Sequence, residues 1–322
     1  MFGSRWYAID LDNLAEKAGV RVICTDRPGM GGATPVPLKQ RVPVWLETVR
    51  PLLKRLDVEH VALLTHSAGA IYTLNTLYRF RDILDSAAPR VVFLAPFVAT
   101  EHSGATLPTL TAKLPDGMIN SFDSINKNMS KRILPIISWS GGIASSVAGL
   151  CSADPEPGAA DSGSMTNAEK YGVSEEVGKE IEGLVTKWFH SESTAAANEE
   201  ILLCVKKDGT GSWGAAEDYE ACVRDIAAQE RTRLTSENGR EKLKLQAYFS
   251  EGDIMIGKAG QKYFEQCWQQ DGLKEVIEIE STVMPGTNHD TILADYRKGA
   301  VLVALRDVAE AHKGSRTQAK NT

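Results

Sequence analysis

Residues 60–65, HVALLT, form an unbroken apolar run that passes with no linker into SAGAIYTLNTLYRF, residues 67–80. The first piece reads as a buried strand and the second as a helix. The same alternation surrounds this junction. RWYAIDLDNLAEK (5–17) has apolar side chains at helical spacing, with Gly19 as a stop. VRVICT (20–25) reads as a strand and runs into the Gly- and Pro-rich loop DRPGMGGATP (26–35). VPVWLETVRPLLKRL (42–56) reads as a helix with a bend at Pro51. VVFLA (91–95) is a third strand, closed by Pro96. Strands and helices alternating at this spacing build βαβ units and a parallel sheet. Continuous apolar strands fit a sheet covered on both faces. The expected fold class is therefore α/β: a doubly wound, mostly parallel sheet.

The alternation stops between about Phe97 and Arg240, where no strand pattern stands out. Helical spacing occurs at 131–139, 174–190, 194–206 and 215–233, and the small, polar stretch 151–170 reads as a loop. The expectation is a helical lid inserted over the sheet. The sheet resumes at LKLQAYFS (243–250), followed by a helix at 258–270, a strand at 275–283 and a closing helix at 291–312. The expected organisation is 1–96 as the first part of the core, 97–240 as the lid, 241–312 as the rest of the core, and 313–322 as a polar tail.

The chain has 322 residues, 43% hydrophobic and 24% charged, enough to bury a large core. Its net charge of -6 gives no basic face for nucleic acid. Five cysteines, an odd number without close spacing, point to a reduced compartment and no metal site. No apolar run approaches the ~18 residues of a membrane helix. The first residues, MFGSRWYAID, lack the basic and apolar parts of a signal peptide, so a cytoplasmic location is expected. No cofactor is implied: Gly29-Met30-Gly31-Gly32 follows a strand but lacks nucleotide-loop spacing and opens no helix. Cys24 reads as packing. Trp139 and Trp188 read as core filling, with the lining of an apolar pocket as the rival.

Chemistry concentrates at Thr65-His66-Ser67-Ala68-Gly69, where strand turns into helix. A nucleophile elbow of the form G-x-S-x-G needs that context, because the sharp turn lifts the hydroxyl above the sheet and small neighbours let the helix start beside the strand. Thr65 stands where the motif has its first glycine. Ala68 offers a backbone N–H to an oxyanion. Two further residues sit just past later strands: Asp253 in FSEGDIM and His289 in MPGTNHD. A serine hydroxyl becomes a good nucleophile when a histidine takes its proton, and an aspartate fixes that histidine's tautomer. Each residue also has a plain structural reading: Ser67 as a helix N-cap, Asp253 as a turn residue, His289 as a loop cap before the last helix. Glu101, past the third strand, is the rival acid.

Asp26-Arg27-Pro28-Gly29-Met30-Gly31, the elbow at Ser67, Asp253 and His289 together resemble the α/β-hydrolase superfamily, of the AB hydrolase-1 type, with a general texture similar to fungal members. The order Ser, Asp, His along the chain is that of these hydrolases. The resemblance runs from about Gly3 to His312 and is loose over 97–240, which such proteins use as a variable lid. It implies a Ser67–His289–Asp253 triad, a glycine loop at 26–31 that shapes the pocket floor, and no cofactor. It implies hydrolysis of an ester, thioester or related acyl bond of a small, apolar substrate. An acyltransferase with the same triad and a non-catalytic hydrolase-like binding protein are the rivals. The resemblance also places a strand ending in His-Gly ahead of a segment such as Phe2-Gly3-Ser4-Arg5. That strand would lie between 20–25 and 60–65, and its absence leads us to expect an N-terminally shortened chain. On the same alignment Met1 falls at the second oxyanion donor.

Overall fold

The computed structural model describes residues 4–105, 165–192, 195–206, 213–236 and 241–320. Its centre is a four-stranded, wholly parallel sheet in the order β1 (Leu63–His66), β2 (Arg90–Leu94), β3 (Leu243–Ser250), β4 (Ile277–Met284). The register runs Leu63, Val91, Leu245, Ile279 across the four strands. β2 and β3 are almost wholly buried, as a sheet covered on both faces requires.

Helices follow the expected alternation. α1 (Tyr7–Ala18) ends at Gly19, whose φ of 77° is the left-handed conformation of a helix stop. α2 (Leu38–Arg55) contains Pro43 and Pro51 and begins four residues before the expected start. α3 (Gly69–Arg79) follows β1 with only Ser67 and Ala68 between. α4 (Thr100–Ser103) follows β2, and α5 (Asn167–Tyr171), α6 (Glu175–Ser191), α7 (Ala195–Cys204) and α8 (Tyr219–Ser236) precede β3. α9 (Gly257–Trp268) links β3 to β4. Phe93 of β2 meets Phe264 of α9 edge-on at 5.3 Å, and Phe264 continues the contact to Phe249 and Trp268.

Several expectations need correction. Residues 20–25 form no strand and pair with none among the described residues, so β1 lies at the edge of the described sheet. β-branched side chains favour extension, but a strand also needs a neighbour to bond with. The loop expected over 151–170 contains α5 at its end, started by a capping box in which Thr166 and Glu169 bond each other's backbone N–H; residues 151–164, like the helix expected at 131–139 and Trp139, lie outside the described residues. The single helix expected at 291–312 is two, α10 (Thr291–Ala294) and α11 (Val301–Lys320). The chain folds back on itself at Gly299, where a Cβ would sit 2.5 Å from the carbonyls of Ile292 and Asp295. α11 runs on through Lys320, past the expected tail boundary. Trp188, expected in the core, is 50% exposed, because α6 turns Val185 and Phe189 inward against Trp6 and Tyr7 instead. Among the described residues, Cys24, Cys204, Cys222 and Cys267 are free thiols, and no helix is long and apolar enough to cross a membrane.

Candidate active site

All four strands point the same way, so their C-terminal ends share one edge of the sheet, where ligands of such sheets bind. Ser67 directly follows β1, Asp253 lies three residues past β3, and His289 lies five past β4. Ser67 has φ 53°, a left-handed conformation that costs a non-glycine residue energy. Its backbone is pinned on both sides: Ser67 N–H donates to Leu94 O at 3.0 Å, and Phe97 N–H donates to Ser67 O at 3.1 Å. The turn leaves no room beside α3. A Cβ on Gly69 would sit 2.1 Å from Thr65 Oγ1, so a threonine in the motif's first glycine position makes the last glycine obligatory.

The three side chains form a relay. Ser67 Oγ lies 2.9 Å from His289 Nε2, and His289 Nδ1 lies 2.9 Å from Asp253 Oδ2. All three are buried, with Ser67 8% and His289 4% exposed. Burial pushes the Asp253 carboxyl up. Electrostatic attraction to His289 and hydrogen bonds from His289, Ile256 N–H and Met255 N–H outweigh it and hold the carboxyl below its usual range. The acid is therefore a carboxylate, the form that accepts the Nδ1 proton.

The plain structural readings separate at this point. α3 carries no side-chain cap, so Ser67 is not its N-cap. Asn288 caps α10 instead of His289, its Oδ1 accepting from Asp290 N–H at 3.1 Å and Thr291 N–H at 2.9 Å. Asp253 is both turn residue and histidine partner, since Oδ1 also accepts from Met255 and Ile256 N–H, each at 2.8 Å. Glu101 is not brought to the relay: its side chain is 71% exposed and lies beside His102. The Ala68 N–H, at the start of α3, donates to no group among the described residues. Met1 lies outside the described residues.

Two arrangements escaped the sequence. Arg27, from the glycine loop expected to shape the pocket floor, stacks over the Tyr72 ring at 4.4 Å and packs against Gly69, behind the elbow. It bonds Glu200 of α7 at 2.9 Å, and the same carboxylate takes Arg41 Nε at 3.0 Å and Tyr72 OH at 2.6 Å. Burial opposes the charge on Glu200, but Arg27 and Arg41 outweigh it and keep the carboxyl below its usual range. The second is His66, whose Nε2 lies 2.7 Å from the carbonyl of His289. Its place next to Ser67 was the one available signal. A cavity of about 310 Å³ opens beside α4 between His102, Trp213, Tyr219 and Tyr263, and none of the three relay residues lines it.

A family model described as "Alpha/beta hydrolase family" matches residues 2–298. Among solved structures, a carboxylesterase from the ammonia-oxidizing thaumarchaeon Nitrososphaera gargenis is 12% identical with a TM-score of 0.51, covering 97% of this chain and 88% of its own. An epoxide hydrolase from Vigna radiata is 16% identical with a TM-score of 0.50, covering 97% and 88%. A haloalkane dehalogenase from Agrobacterium tumefaciens C58 is 11% identical with a TM-score of 0.50, covering 89% and 79%. At these identities the likeness is one of fold. No curated protein matches.

Proposed function

This chain belongs to the alpha/beta hydrolase family, and we propose that within it the protein is a serine hydrolase cleaving an ester, thioester or related acyl bond of a small molecule. The observation that carries this is the Ser67–His289–Asp253 relay, with both links at 2.9 Å. Ser67 Oγ attacks the acyl carbon while His289 Nε2 takes its proton. Asp253 holds the Nδ1 proton and stabilises the imidazolium. Charge builds on the carbonyl oxygen, where the Ala68 N–H at the start of α3 donates to it. His289 returns the proton to the leaving group, and an acyl-Ser67 ester remains. Water then attacks that ester, His289 takes the water's proton and passes it to Ser67, and the acid leaves. The family's likeness in fold to an epoxide hydrolase and a dehalogenase does not decide the bond cleaved; a serine at position 67 favours acyl chemistry.

The test needs no knowledge of the natural substrate. A fluorophosphonate probe should label the wild-type protein and not Ser67→Ala. Hydrolysis of p-nitrophenyl esters should fall in that variant by several powers of ten, on the order of 10⁶ in a well-studied protease. A Ser67→Ala protein that keeps more than a few per cent of wild-type turnover would show that Ser67 is not the nucleophile.

A further inference from the structure

The loop carrying His289 is held through three successive carbonyls. Gly252 N–H donates to Thr287 O at 2.9 Å, and Ser250 Oγ–H donates to Asn288 O at 2.8 Å. The third, His289 O, lies 2.7 Å from His66 Nε2. A carbonyl only accepts, so Nε2 carries the proton and donates it. The first two clamps come from the end of β3 and the turn after it, the side that supplies Asp253. The third comes from the last residue of β1, the neighbour of Ser67 in the chain.

We propose that His66 is a positioning residue for the general base: it ties the main chain of His289 to the strand end that carries Ser67, and so sets the separation of hydroxyl and imidazole. The proposal rests on the reading of His289 as the base. Of these three carbonyl ties, the two that would remain without this clamp both come from the Asp253 side, leaving the Ser67–His289 separation to the side-chain hydrogen bond. His66 is buried, and its ring centroid lies 4.9 Å from that of His289, so the two imidazoles also pack against each other. Burial first, and nearby positive charge after it, push the His66 imidazole well below the usual histidine range. His66 therefore stays neutral while His289 gains and loses its proton, and the clamp keeps one form throughout turnover.

The test compares His66→Gln, His66→Asn and His66→Leu with the wild type and with Ser67→Ala. Readouts are p-nitrophenyl butyrate hydrolysis and the rate of fluorophosphonate labelling. The glutamine amide nitrogen lies as many bonds from Cα as Nε2 does; that of asparagine lies one bond short. The expected result is that Gln retains kcat within about threefold, while Asn and Leu lose about 10- to 100-fold, the range for misplacing a catalytic group. KM should stay within about twofold, and labelling should slow in step with kcat. A residue that merely stabilised the fold would not show this split or the rescue by glutamine. Wild-type kcat in Asn and Leu, or equal losses in Gln and Asn, would overturn the proposal. If Leu fails to fold, the Gln and Asn pair decides alone. A Ser67→Ala protein that still turns over would instead overturn the triad, and the role of His66 with it.

Discussion

Asp253 serves two sets of partners. Oδ1 accepts from two backbone N–H groups of its own turn, and Oδ2 is the oxygen nearer His289 Nδ1, at 2.9 Å against 3.2 Å from Oδ1. An amide at this position cannot serve both, since its nitrogen would face a donor. Asp253→Asn should therefore lower kcat by about 10⁴-fold, as loss of the oriented tautomer does elsewhere. Glu101→Gln should leave kcat within about twofold, because exposed substitutions away from a site have small effects. Steady-state kinetics on both variants checks the pair, and the reverse ranking would return the acid role to Glu101. All three relay residues were legible as candidates because each lies within five residues past the C-terminal end of a strand of a parallel sheet. Their competing local readings were illegible from sequence, because deciding who caps α10 requires knowing that Asn288 already does so. His66 and Glu200 act through partners more than 120 residues away, which no local pattern encodes.

Among the described elements, α7 is anchored by buried charge. Glu200 is fully buried and holds Arg27, Arg41 and Tyr72 at once. Removing one partner of a buried ion cluster leaves uncompensated charge, so Glu200→Ala should destabilise the fold by about 3–5 kcal/mol. The pH dependence follows from the lowered Glu200 carboxyl. A group whose pKa is depressed on folding contributes stability above its unfolded value, 4.5 here, and loses it as pH falls through the folded value. The deficit of Glu200→Ala should thus be full at pH 6–7 and shrink below about 4.5. Urea melts of variant and wild type across that range test it; an equal deficit at every pH would refute the assignment. The exposed Arg50–Asp82 pair should contribute only about 0–1 kcal/mol. Elements with a strong local signal were legible, as at α3 and at α1 with Gly19. Residues 20–25 were misread as a strand because pairing is a property of neighbours. The break between α10 and α11 was missed because Gly299 within a helical pattern looks tolerable until two carbonyls are seen to crowd it.

Across the whole molecule, the described helices between β2 and β3 share their interior with the sheet. Leu203 of α7, Trp213, and Tyr219, Cys222, Val223 and Ile226 of α8 belong to the same buried cluster as Val91, Phe93 and Phe249. Any outward movement of these helices must open that common interior. What covers their apolar faces was not legible in the sequence, since helical spacing says which face is apolar and not what lies over it. The relay has a long reach along the chain. Ser67 and His289 stand 222 residues apart, and Asp253 and His289 stand 36 apart. Contacts so distant in sequence form slowly, because the intervening chain must first be ordered. In a refolding experiment, probe labelling of Ser67 should therefore lag behind the recovery of helical circular dichroism; simultaneous recovery would contradict this order. The same separation governs events during synthesis. When the turn before α3 leaves the ribosome, Ser67 is an ordinary alcohol, and on the proposed reading it becomes a nucleophile only after the 222 further residues to His289 have been made.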